Sequence, residues 1–185
     1  MDKREAILEA ALALFAERGF HGTSVALIAE KARVGAGTIY RYFESKEVLV
    51  NHLYQHWKRE MSEAILTGLD KGLAPRRLFH EIWSRMVTFS RKHPKELMFL
   101  EFHHHAPYLD DESRRLCDQL LGEFRQFFEV CREAQITKEV SPEILMAIVI
   151  GAFNASEKAF MVGEIEPTSE NVALVEELCW EAVRR

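Results

Sequence analysis

The chain has little of what usually announces chemistry or an unusual environment. Its three cysteines, Cys117, Cys131 and Cys179, are an odd number without close pairing, which suggests neither a disulfide framework nor a zinc knuckle and fits a reducing cytoplasm. The longest apolar run, Ile144 to Phe153, is ten residues, short of the roughly twenty needed to cross a bilayer, so no membrane is expected as a partner. The charged opening Met1-Asp2-Lys3-Arg4-Glu5 lacks the apolar stretch and cleavage site of a signal peptide. A Gly-rich phosphate loop, a nucleophile elbow and a clear carboxylate pair are missing, so neither an enzyme nor a cofactor is expected. Alternating strand patterns are missing too.

Basic charge is also scarce, with a net charge of -5, but its distribution is uneven. Residues 1–50 hold seven Lys/Arg and seven Asp/Glu, whereas Lys31 to Lys46 contains Lys31, Arg33, Arg41 and Lys46 against Glu44 alone. A small basic patch on an acidic body can neutralise several phosphates while the rest of the surface orients the approach to a duplex.

The patch lies on a distinctive stretch. Thr23 and Ser24 offer hydroxyl caps to a helix with Val25, Ile28, Ala29 and Ala32 on one face. Arg33-Val34-Gly35 breaks the pattern, and Ala36 to Phe43 resumes it with Ile39 and Phe43 facing inward. Gly37, Thr38 and Arg41 then face outward, flanked by Tyr40 and Tyr42. Two short helices at a tight turn match a DNA-binding helix-turn-helix, or an ordinary helical hairpin.

The run Val34-Gly35-Ala36-Gly37-Thr38-Ile39-Tyr40-Arg41-Tyr42-Phe43-Glu44-Ser45-Lys46-Glu47 resembles the signature of TetR/AcrR-type transcriptional regulators. The resemblance covers about the first fifty residues. It implies DNA contacts from Thr23, Ala36, Gly37, Thr38, Tyr40, Arg41, Tyr42 and Lys46, with Thr23 a phosphate-contacting cap. Tyr42 can equally be a residue packed at the edge of the core. Two positions depart from the pattern: Arg33 stands where glycine is frequent, so a somewhat different turn is expected, and Gly35 stands where serine often caps the recognition helix. Direct reading then rests on Arg41, Thr38 and Tyr40, with Arg41 long enough to pair with guanine O6 and N7.

Helical periodicity continues throughout and predicts an all-α fold of about nine helices. Residues 1–46 are expected to form a three-helix DNA-binding domain and residues 47–185 a ligand-binding and dimerisation domain. The expected function is a repressor that binds a palindromic operator as a dimer and is released by a hydrophobic small molecule. The alternative is a helical DNA-binding adaptor controlled by a protein partner. Met61, Trp83, Met86, Phe89, Met98, Phe102, Phe124, Phe128 and Phe153 are candidate pocket residues, although each is also an ordinary core type. Residues 144–150 are apolar on every side and so need burial on both faces. Gly151, Ala152, Ala155 and Ala159, with Val175, Leu178 and Ala182 on the last helix, suggest a face for a second copy, or a buried helix in a monomer. His52, His56 and His103 to His105 make a metal site geometrically conceivable, but three adjacent histidines cannot all face one ion, so none is expected.

Overall fold

The computed structural model describes residues 2–185. Among them are nine helices and no strands: α1 Lys3–Arg18, α2 Val25–Lys31, α3 Ala36–Tyr42, α4 Lys46–Leu66, α5 Pro75–Lys92, α6 Pro94–Phe102, α7 Asp111–Glu133, α8 Pro142–Val162 and α9 Ser169–Val183. The residues group into two compact units, one holding the chain to Met61 together with His93–Cys117, the other Ser62–Lys92 together with Asp118–Arg185.

In the first unit, α1 is the central element because its apolar stripe meets α2, α3 and α6. Ile7, Ala11, Leu14 and Phe15 are buried and share a core with Ile28, Ile39, Phe43, Leu49 and Phe99. Gly19 ends α1 at φ 66, a backbone conformation that calls for glycine, and the exposed Phe102 ring lies over it, 2.7 Å from where a β-carbon would stand. Asn51 of α4 is buried with its amide fully used. Nδ2 donates to Glu47 O (2.9 Å) and Tyr108 O (2.8 Å). Oδ1 accepts from Asp110 N (2.9 Å) and from the Ser113 hydroxyl (2.8 Å), which ties α4 to the start of α7.

The second unit is built on α5, α8, α9 and the remainder of α7, with α9 packed on both α8 and α5. Its core is aromatic. Trp83 meets Phe153 edge-on at 5.4 Å and stacks near Phe79 at 6.1 Å, and Phe79 meets Trp180 at 5.1 Å. Arg85 donates to Ile65 O (3.1 Å) and Thr67 O (2.7 Å), satisfying carbonyls left open where α4 ends. Helix α8 is long and apolar enough, by length and composition, to cross a membrane. Yet it buries Leu145, Met146, Val149 and Phe153 in this core and carries a buried carboxylate, Glu157. Its other face is open: Ile144 is 52% and Ile148 42% exposed, so the expected burial on both faces is not met within the chain.

Glu157 accepts a hydrogen bond from the Ser90 hydroxyl. Burial raises its carboxyl above the ordinary glutamate value, with the Ser90 bond and Arg91 pulling the other way. The stabilising contribution of the protonated acid is then complete below the unfolded-state value near 4.3 and is lost as pH rises through the folded value. Glu157→Gln should therefore raise the urea midpoint at pH 7, and the gain should shrink toward zero near pH 4. A gain independent of pH would point to packing instead.

Candidate nucleic-acid interface

The surface expected to meet DNA is carried by two helices of seven residues each. Ser24 caps α2, its hydroxyl accepting from Leu27 N at 3.2 Å, and Ile28 and Ala29 face the core. Gly35 precedes α3 without a side-chain cap, and Ile39 is that helix's buried anchor. A β-carbon on Gly35 would meet only Thr38 Oγ1, at 4.0 Å, so space for the frequent serine is present.

The exposed face of α3 follows the helical wheel. Ala36, Gly37, Tyr40 and Arg41 are exposed, Tyr40 to 55%, while Thr38 and Tyr42 are half-buried. The Arg41 guanidinium lies 5.1 Å from the centre of the Tyr42 ring and donates to the Tyr42 hydroxyl at 3.3 Å. Tyr42 thus packs at the core's edge and also steers Arg41. Lys31 and Arg33 are exposed nearby in sequence.

Two expected contact residues have their donors engaged inside the unit. Thr23 is only 1% exposed, and its hydroxyl lies 2.8 Å from Gly19 O and 3.1 Å from Leu14 O. It fastens the end of α1 to the start of α2, and Ser24 is the cap. Lys46 Nζ donates to Phe20 O and Thr23 O, both at 2.9 Å, and sits 4.0 Å from the centre of the Phe20 ring. Both residues act as clamps within the head, Thr23 through its one O–H donor and Lys46 through two of its three N–H donors. At the turn, Arg33 adopts φ 55, the left-handed conformation that glycine takes at little cost and an arginine only with strain.

The candidate pocket residues divide between the units. Trp83, Met86, Phe124 and Phe128 line one cavity of the second unit, of about 20 Å³. Phe79, Ile82, Phe127, Val149 and Ile150 complete its wall. The helical stripe of α5 contains Phe79 and Ile82, a signal that the sequence reading did not use for the pocket. Phe153 meets Trp83 at its edge, and Phe89 is buried without lining the cavity. Met61 packs against the core of the first unit; Met98 also belongs to that unit, and Phe102 is 59% exposed over Gly19. Periodicity identified them as apolar, but their neighbours lie across the fold.

On α8 and α9, Gly151, Ala155, Leu178 and Ala182 are exposed, while Ala152, Ala159 and Val175 are half-buried. Ile144, Ile148 and Leu174 extend the open apolar face. Among the described residues no group of three His, Cys, Asp or Glu side chains is placed to hold a metal ion. His52 Nε2 lies 2.7 Å from Arg4 Nη2, whereas His103 is fully buried with Nδ1 2.8 Å from Phe99 O.

Residues 7–53 match the family described as "Bacterial regulatory proteins, tetR family", and residues 54–185 match "Tetracyclin repressor-like, C-terminal domain". The HTH-type transcriptional regulator YhgD of Bacillus subtilis (strain 168) is 36% identical over 81 residues, a match spanning 44% of this chain and 40% of that protein. The acrEF/envCD operon repressor of Escherichia coli (strain K12) is 26% identical over 166 residues, 82% of this chain and 72% of that protein. Among solved structures, a tetR family transcription regulator from Shewanella sp. PV-4 superposes with a TM-score of 0.82 at 26% identity, covering all of both chains.

Two substitutions test these placements. Thr23→Val keeps the shape and removes both hydroxyl contacts, and should cost about 1–2 kcal/mol in chemical denaturation. It should leave the DNA affinity of the folded protein unchanged; a uniform drop in affinity across DNA sequences would return Thr23 to the phosphates. Arg33→Gly should stabilise the fold by about 0.5–1 kcal/mol, the left-handed strain relieved less the added chain entropy.

Proposed function

The chain belongs to the tetR family of bacterial regulatory proteins and is a DNA-binding transcriptional regulator, and from that premise we propose that it is a cytoplasmic repressor that binds a palindromic operator as a homodimer and is released by a hydrophobic small molecule. The observation that carries the DNA-reading part is the exposed face of α3, where Arg41 is held against Tyr42 and the neighbouring α3 positions, Ala36 and Gly37, offer no side-chain hydrogen bonds. Arg41 reads a guanine edge, Thr38 and Tyr40 assist it, and Thr23 and Lys46 keep the head in shape.

The dimer reading rests on the open apolar face of α8 and α9, with Ile144, Ile148, Leu174 and Leu178 around the small residues Gly151 and Ala155. Small residues let a second helix approach closely, and a matching pair from a second copy would complete a four-helix bundle about a twofold axis. Two heads related by that axis would read inverted half-sites. The functional division is drawn at residues 1–46 for DNA binding and 47–185 for dimerisation and effector binding.

The effector reading rests on the aromatic cavity around Trp83 and Phe128. Its volume of about 20 Å³ is far below the roughly 300–1,000 Å³ of typical ligand pockets, so an effector must bind a widened form. Differential affinity for that form is what could shift the protein away from DNA. The narrowness of the cavity also favours a second reading, an adaptor whose DNA binding is controlled by a protein partner. A hydrophobic compound that raises the melting temperature and releases DNA decides for the first.

Binding-site selection with the purified protein tests the proposal. The recovered sequence should be an inverted repeat. Arg41→Ala should lose about 1–3 kcal/mol of binding and relax preference at one base pair per half-site. Unchanged base preferences in the mutant would remove Arg41 from the reading role, and a recovered site without symmetry would remove the twofold arrangement.

A further inference from the structure

Besides the narrow aromatic cavity of the second unit, the molecule carries a groove of about 370 Å³ in the first unit, between α1, α4 and the start of α6. That volume lies within the roughly 300–1,000 Å³ of ordinary ligand pockets, and the groove is already open to solvent. Its floor is apolar. Leu12 and Leu53 are buried there, while Leu8 and Trp57 are half-buried and leave apolar surface for whatever enters. Two rings hold the Trp57 indole in place, His56 with its centre at 5.0 Å and His93 at 5.1 Å. A flat surface fixed beforehand costs little ordering when a ligand binds.

The walls carry charge of one prevailing sign, Arg4 standing against Glu5, Glu9 and Glu96. Arg4 is already engaged. Its Nη2 lies 2.7 Å from His52 Nε2, and its guanidinium is 5.7 Å from the centre of the Phe43 ring. Burial and the Arg4 charge hold the His52 imidazole below the ordinary histidine value, so it accepts that hydrogen bond as a neutral ring. Glu5 accepts from Asp2 N at 3.2 Å, whereas Glu9 of α1 and Glu96 of α6 make no hydrogen bond or ion pair with any described residue. Lys31, Arg33 and Lys95 border the same two carboxylates from a neighbouring opening, but none comes within ion-pair distance. No three of the histidines and glutamates here are placed to hold a metal ion.

An anion in this groove would meet three like charges and one committed arginine. A neutral apolar guest would cover the floor and draw the carboxylates away from water without a partner. A cation with an apolar body suits both parts. We propose that the groove binds an organic cation of the arylalkylammonium class, a protonated amine joined by a short chain to an aromatic ring. The ring covers Trp57 and Leu8, and the ammonium donates to Glu9 and Glu96. The site is separate from the aromatic cavity and takes a ligand of different chemistry, so it stands whether or not that cavity admits an effector.

The test uses the full chain at pH 7 and three probes with one body and three charges: phenylbutylamine, phenylbutanol and phenylbutyrate, each with its phenyl ring at the chain end. In calorimetric titration the amine should bind about tenfold more tightly than the alcohol, and the butyrate more weakly than either. Glu9→Gln combined with Glu96→Gln should bring the amine down to the level of the alcohol. Both side chains are at the surface or half-buried, so the fold survives their exchange. Glu129→Gln combined with Glu164→Gln removes the same charge from exposed positions of the second unit and should leave amine affinity unchanged. Nuclear magnetic resonance gives the place. The Trp57 indole N–H signal, assigned through Trp57→Phe, should move with the amine while those of Trp83 and Trp180 stay. Equal affinity for amine and alcohol, amine affinity that survives the loss of Glu9 and Glu96, or no measurable amine binding at millimolar concentration overturns the proposal. A shift at Trp83 in place of Trp57 does so too, because it puts the amine in the aromatic cavity.

Discussion

Helices of seven residues are too short to persist by themselves, since isolated helices below about 12–15 residues are marginal in water. That constraint governs the head of this protein, because α2 and α3 carry its candidate DNA surface. Their stability is borrowed. Ile28 and Ile39 reach into a core organised by α1, and the Thr23 hydroxyl and Lys46 ammonium gather the carbonyls around the α1–α2 connection. Phe20 serves twice, as core ring stacked 4.0 Å from Tyr108 and as the aromatic surface under Lys46. The exposed face of α3 can be small and polar because its rigidity comes from elsewhere.

The two units solve the burial of polar groups differently. In the first, buried polar side chains bridge separate segments, as Asn51 does between α4 and the start of α7, and His103 is surrounded by the rings of Phe15, Phe99, Phe102 and Tyr108. In the second, buried carboxylates take that part. Glu176 of α9 is held by Arg76 and His80 of α5, and Glu157 of α8 by Ser90 of α5. The aromatic core between them therefore has fixed polar ties along α5, with only a narrow cavity left among the rings.

Much of this was legible in the sequence, and the failures share a cause. Periodicity and caps located all nine helices, because those signals are local. One helical wheel anchored by Ile39 puts Gly37 and Arg41 outward, as the structure has them, but also puts Thr38 outward and Tyr40 at the flank, whereas Thr38 is half-buried and Tyr40 is exposed. Thr23 and Lys46 invite a reading as phosphate donors because a donor's chemistry is visible in a sequence but its direction is not; the Thr23 hydroxyl and two of the three Lys46 donors face carbonyls nearby in space. Arg33 is where a somewhat different turn is expected, and the structure shows a left-handed arginine there, a strain that no local pattern announces. Met61, Met98 and Phe102 were assigned to the pocket by residue type, although the segment 93–117 folds with the first unit, a grouping that no local pattern encodes.

Asn51 has a consequence beyond stability. Its amide gives two hydrogen bonds and receives two, from partners on three stretches of chain. Aspartate would lack the donors and leucine would strand all four partners, so no single exchange preserves the arrangement. A position so constrained drifts only if its surroundings drift with it. Residue 51 should therefore act as a fixed point for placing the register of α4 when remote relatives are aligned, where overall identity alone is too low to do so.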